Sequence, residues 1–170
     1  MTDLGKFVAV LFYSGEMIDE AELCKNFGIK PAELVKIKDK ANDLLEKVGL
    51  ADMAQHISDT LAYGDIKRLE LAMALVNQPK LLLMDEPTAG MSPSERHALM
   101  GLVQFLAKER DVAVIFTEHS MDMVFSFATR ILVMAQGRIL VEGTPQEVQN
   151  NALAQSVYLG RGKTIEGETV

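Results

Sequence analysis

Through the first third of the chain, apolar residues recur every three or four positions, and beyond it they gather into short unbroken runs. The pattern predicts helices first, then strands alternating with helices. One helix is predicted over 16–26, closing before Gly28, and a longer one opens at Pro31 and runs to about Val48, with Gly49 in the stop position. Leu34, Ile37, Ala41, Leu44, Leu45 and Val48 form its stripe for burial. A third helix over 65–77 carries Leu69, Ala72, Met73 and Val76 at similar spacing and ends at Gln78-Pro79. The runs 80–84, 112–117 and 131–135 have the texture of parallel strands covered on both faces. Between the first two, Ser92-Pro93-Ser94-Glu95 is a capping box with proline at its first position, predicting a helix to about Arg110. Gln136-Gly137 is a two-residue turn joining 131–135 to 138–141 as a terminal hairpin. Thr144-Pro145-Gln146-Glu147 repeats the capping box and starts a last helix. The expected organisation is a helical part over 1–78, an α/β part over 79–160 and a tail over 161–170.

The apolar segment FVAVLFY (7–13) is expected to face the core. It is far too short to span a bilayer, and it lacks the basic flank and small-residue cleavage site of a signal peptide. A chain of 170 residues with a formal net charge of −7 fits one ordinary domain with a real core. Its lysines and arginines are interleaved with acids. The cluster Lys36, Lys38 and Lys40, for instance, is offset by Glu33, Asp39 and Asp43, a solvated helix face with no nucleic-acid surface. The single Cys24 allows no internal disulfide and suits a reducing compartment as a buried thiol.

Two pieces carry chemistry. LLLMDEPTAG (81–90) is a buried-type strand that ends in two adjacent carboxylates. A nucleotide hydrolase uses such a pair to give Mg²⁺ one group, Asp85, and the attacking water another, Glu86. LAYGD (61–65) lies shortly upstream, at the opening of a helix. The phosphate-cradling pattern G-x-x-x-x-G-K-[ST] occurs nowhere in the chain. Gly160-Arg161-Gly162-Lys163-Thr164 ends like one, but Val157 stands where its first glycine belongs. His56 and His97 have no motif around them and are expected at the surface.

With LAYGDIKRLELAMAL (61–75), NQPKLLLMDEPTAGMSP (77–93), FTEHSMDMV (116–124) and ILVMAQGRILVEGTP (131–145), the stretch from about Lys40 to Gly160 resembles the nucleotide-binding subunit of an ABC transporter, most closely the branched-chain amino acid importer group. LAYGD in place of the commoner LSGGQ, and AGM after the acidic strand, are that group's spellings. The resemblance implies an α/β fold: part of a RecA-like P-loop NTPase core, with a short parallel sheet and a terminal hairpin, plus the ABC helical subdomain. It implies ATP and Mg²⁺ as ligands. Asp85 would hold Mg²⁺ through a water, Glu86 would be the catalytic base, and His119 the switch histidine that senses the γ-phosphate. Leu61, Ala62, Tyr63, Gly64 and Asp65 would form the signature loop, which meets a nucleotide held by the opposite subunit through backbone N–H groups and the positive end of a helix begun at Asp65. Ala62 replaces the usual signature serine, so one hydroxyl contact to phosphate is lost. Ala89, Gly90, Met91 and Ser92 would be the loop that crosses the dimer interface.

By the same resemblance the phosphate loop, the adenine-stacking aromatic and the glutamine loop belong to a portion preceding residue 1. The implied partners are a second ATP-binding subunit, two membrane permeases and, indirectly, a periplasmic or extracellular substrate-binding protein. The implied place is the cytoplasmic face of the cell membrane. Two other readings compete: a non-catalytic module offering its signature face to an intact ATPase, and a soluble ABC ATPase outside transport. The importer spelling of both motifs and the acidic charge favour the first reading over the last.

Overall fold

The computed structural model describes residues 19–158, so the expectations for 7–13 and for the tail lie outside the described residues. The chain divides into two compact units, Met1–Thr117 and Glu118–Val170.

In the first unit, α1 (Glu20–Phe27) starts at Asp19, whose carboxylate accepts from the Ala21 N–H at 3.1 Å, and closes on Gly28, whose N–H donates to the Cys24 carbonyl. α2 (Pro31–Lys47) opens with proline at its first position, as expected. Its apolar stripe serves two cores. Leu34 and Ile37 close a small cluster with Leu23 of α1 and the half-buried Cys24, while Leu44 and Val48 enter the main core. α3 (Tyr63–Leu75) begins two residues before the predicted start, and its buried face is turned relative to the expected one. Leu71, Ala72, Leu75 and Val76 are buried, whereas Leu69 and Met73 are only partly so. In LELAMALV nearly every position is apolar, so spacing cannot choose between neighbouring stripes.

β1 (Leu81–Asp85), α4 (Pro93–Arg110) and β2 (Ala113–Thr117) make a parallel strand–helix–strand unit, with Leu81 opposite Ala113 and Asp85 opposite Thr117. The core gathers Leu75, Leu82, Val103, Leu106 and Val112 with the α2 residues, and Met84 and Val114 pack against it. Among the described residues one sheet face alone is covered, against the expectation that both are. On the other, Leu83 is 69% exposed, Ile115 59% and Leu81 47%. The apolar runs are real, but the described residues supply helices for one side alone. Leu75 is 1% exposed, so Leu75→Ala should lower unfolding stability by about 2–5 kcal/mol. Leu83→Ala, on the bare face, should change it by less than about 0.5 kcal/mol. Chemical denaturation of the two variants checks the pair.

The second unit carries α5 (Met121–Phe127), β3 (Ile131–Ala135), β4 (Arg138–Gly143), α6 (Pro145–Gln149) and α7 (Ala152–Tyr158). β3 and β4 form the expected hairpin over Gln136-Gly137, with φ of 51° and 74° as a type I′ turn requires. β3 pairs antiparallel with β4, not with a parallel neighbour, among the described residues. Val133 faces Val141 and Met134 faces Ile139, leaving Leu140 as a bulge. Ile131, Val148 and Ala154 are the buried centre of this unit. Thr144 and Glu147 form the predicted capping box, the Thr144 N–H donating to Glu147 Oε2 at 2.8 Å. α5 and α7 were not predicted: at seven residues each, they are too short for a periodic signal.

Candidate functional site

Along β1 the alternation that sends Leu82 and Met84 inward sends Leu81, Leu83 and Asp85 outward. Asp85 therefore ends the strand on the exposed face, where the Thr117 hydroxyl of the adjoining strand donates to its Oδ1 at 2.5 Å. Glu86, the next residue, has φ of 44°, in the left-handed region that a side chain disfavours by about 1–3 kcal/mol. Its N–H donates to both the carbonyl and the hydroxyl of Thr117, each at 3.1 Å. One threonine thus fixes the Asp85 carboxylate and the backbone of Glu86. Sequence reasoning passed over Thr117; the signal available was a hydroxyl residue at the tip of a second buried-type strand.

After Glu86 the chain dips inward. Pro87 is buried and Thr88 is 1% exposed, then Ala89 and Gly90 return to the surface and Met91 is buried again at 6%. The Ala89 N–H donates to the Glu86 carbonyl at 3.1 Å and the Met91 N–H to that of Thr88 at 3.2 Å. Ser92 and Glu95 then cap α4: the Ser92 N–H donates to Glu95 Oε2 at 2.9 Å and its hydroxyl does so at 2.5 Å. The Ser92 hydroxyl, then the Ser92 N–H, hold the Glu95 carboxyl below its ordinary pKa, with Arg68 adding a smaller pull. A lowered acid stabilises the fold above its unfolded pKa, and that contribution disappears as pH falls through the folded one. Denaturation midpoints should therefore drop on acidification, and less steeply in Ser92→Ala. Equal slopes in the two proteins would remove the capping box as the cause.

The residues expected to form the signature loop sit at the opening of α3. The helix begins at Tyr63, not Asp65, with Ala62 as its N-cap: the Ala62 carbonyl accepts from the Asp65 N–H at 2.9 Å and from Ile66 at 3.0 Å. As the alanine implies, no side chain caps it. Tyr63 and Gly64 hold first-turn positions, where helix geometry provides no carbonyl for the N–H groups. The sequence placed Asp65 at the start because it is the only capping-type residue there; it lies instead within the first turn, paired with Arg68 at 3.7 Å. Leu61 and Ala62 lead into this turn in extended conformation.

Asp85, Glu86, the signature turn and the loop Ala89–Ser92 all belong to the first compact unit. His119, exposed and two residues past β2, belongs to the second. No group of three or more histidine, cysteine, aspartate or glutamate side chains able to hold a metal occurs among the described residues. A Mg²⁺ ion, however, keeps most of its waters and asks for one or two carboxylates plus phosphate oxygens. The exposed Asp85 carboxylate, steadied at one oxygen, fits that demand. No helix among the described residues is long and apolar enough to cross a membrane.

A family model described as "ABC transporter" matches residues 1–89, more than half of the chain. The chain belongs to the ABC transporter family. That match takes in the amphipathic helices before Lys40, which carry no motif. A second ABC model, "Branched-chain amino acid ATP-binding cassette transporter", matches residues 138–164. The high-affinity branched-chain amino acid transport ATP-binding protein LivG of Salmonella typhimurium is 40% identical over 122 residues, covering 72% of this chain and 48% of LivG. BraF of Pseudomonas aeruginosa, with the same description, is 40% identical over 116 residues, 68% of this chain and 46% of BraF. The ADP conformation of MJ1267, an ATP-binding cassette of an ABC transporter, superposes with a TM-score of 0.70 at 26% identity, covering 92% of this chain and 60% of MJ1267. The ABC fold expected from the motifs is therefore established, and the chain spans about half the length of the curated relatives it matches.

Proposed function

We propose that this chain acts within the ATP-binding subunit of an ABC importer for branched-chain amino acids or a similar small polar solute, at the cytoplasmic face of the membrane. The observation that carries the reading is the strand tip: Asp85 and Glu86 anchored together on Thr117, in the same compact unit as a signature turn that opens a helix. In this reading residues 1–78 belong to the helical subdomain and 79–160 to the RecA-like core. The Asp85 carboxylate would hold Mg²⁺ through a water, and Glu86 would accept the proton of the water that attacks the γ-phosphate. Mg²⁺, when bound, offsets the charge of the β- and γ-phosphates. The first-turn N–H groups of α3 face the phosphate of a nucleotide bound by the opposite subunit. His119 senses that phosphate, and Ala89–Ser92 passes along the interface. Two permeases, a second ATP-binding subunit and, through them, a substrate-binding protein complete the transporter.

Uptake of radiolabelled leucine, isoleucine and valine should fall when this chain's gene is deleted and return on complementation, but not with Glu86→Gln. Unchanged uptake of all three would reject the proposed solute. A complex purified through this chain that contained no permease would reject transport itself.

A further inference from the structure

Ala62 leaves the signature turn without a side-chain cap, and the loop that follows Glu86 packs beside that turn. A Cβ placed on Gly90 would lie 3.7 Å from Tyr63 Cε1 and 4.0 Å from both Cζ and Oη, so the tyrosine ring lies over Gly90 with room for no more than a methyl between them. Gly90 has φ of 76°, which any other residue adopts only with strain. One residue along each segment, Gly64 approaches Met91 and Glu95: its Cβ position is 3.7 Å from Met91 Cε and 3.5 Å from Glu95 Oε1. The ring is steadied from its own helix, where Lys67 Nζ lies 5.5 Å from its centroid while bonded to Glu70 at 2.9 Å. Tyr63 is nonetheless 51% exposed, so its ring adds little to the core. The loop in turn begins at Glu86, whose carbonyl accepts from the Ala89 N–H.

We infer that Tyr63 is a positioning residue that ties the loop Ala89–Met91, and through it the backbone carrying Glu86, to the start of the signature helix. The tie joins two places that the proposed function assigns to different nucleotides. A phosphate engaging the first turn of α3 moves Tyr63, and Tyr63 moves the segment that bears the base. The functional half of the inference rests on that reading; the mechanical half does not.

Amide hydrogen exchange on the full chain tests the mechanical half. Tyr63→Ala should speed exchange of the Ala89 and Met91 amides about tenfold while leaving the Leu71 to Leu75 amides of α3 unchanged, and Tyr63→Phe, which keeps the ring, should exchange like the native chain. Gly90→Ala leaves the ring its contact but strains the loop at a φ of 76° and should raise loop exchange too. Native exchange in the loop of either alanine variant, equal acceleration throughout α3, or failure of phenylalanine to restore protection would overturn the proposal. For the functional half, the ATPase complex isolated through a tag on this chain is compared with its Tyr63→Ala form. The kcat for ATP should drop about tenfold with KM within about twofold, and Tyr63→Phe should recover it. A raised KM at native kcat would make Tyr63 a direct nucleotide contact and overturn the positioning role. A native complex without ATP hydrolysis would instead reject the ATPase reading and leave the exchange result standing.

Discussion

Glu86→Gln in the purified ATPase complex is expected to cut ATP turnover by about a thousandfold, while Mg²⁺-dependent ATP binding stays within about twofold of native. The amide occupies the carboxylate's volume and keeps the backbone bonds to Thr117, but it cannot accept a proton from the attacking water, and general-base loss costs about 10²–10⁴ in rate. Asp85→Asn should differ in kind, weakening the Mg²⁺ dependence, because the proposed function gives the carboxylate bonded to Thr117 the metal side. The chain of 170 residues assayed by itself should show no Mg²⁺-dependent turnover, since it contains no G-x-x-x-x-G-K-[ST] cradle for the triphosphate. Turnover by the chain alone, abolished by Glu86→Gln, would contradict this account, as would near-native turnover of the Glu86→Gln complex.

The isolated chain is expected to self-associate at micromolar concentration. Leu81, Leu83 and Ile115 lie on one face of a two-stranded sheet and are about half exposed or more, and each strand has only one pairing partner among the described residues. An apolar face beside a strand edge invites intermolecular contact. Leu83→Lys with Ile115→Lys should weaken association at least about tenfold, equivalent to 1.4 kcal/mol, with little loss of folding stability because both side chains already lie outside the core. Sedimentation velocity on the two proteins decides it. A native chain that remains a monomer across the micromolar range would show that the exposed face is inert.

Much of this was legible in advance, and the parts that were not share a cause. Capping boxes at Ser92 and Thr144, the Gln136-Gly137 turn and the acidic strand end are local signals, complete within a few residues, and each appears where the sequence puts it. Errors arose where composition was uniform or where the deciding partner was distant in sequence. The α3 stripe slipped because LELAMALV offers almost no polar contrast, and its start was misplaced because a backbone cap at Ala62 leaves no side-chain mark. The bare sheet face was unforeseeable from runs that look alike whether covered or not. Thr117 lies thirty-one residues from Glu86, so the two hydrogen bonds it accepts from that backbone N–H belong to strand pairing, a long-range event. Tyr63 on Gly90 is the same kind of fact.

The left-handed backbone of Glu86 bears on any effort to make this protein more robust. A residue with φ of 44° is one that glycine or asparagine occupies more comfortably. Selection for thermal resilience alone would therefore drift toward Glu86→Gly or Glu86→Asn, trading the proposed proton acceptor for a relaxed main chain. Such a library would enrich inert proteins if Glu86 is the base that the proposed function makes it. Stabilised versions meant to keep turning over ATP need Glu86 and Thr117 held constant from the first round, so that robustness is gained elsewhere in the fold.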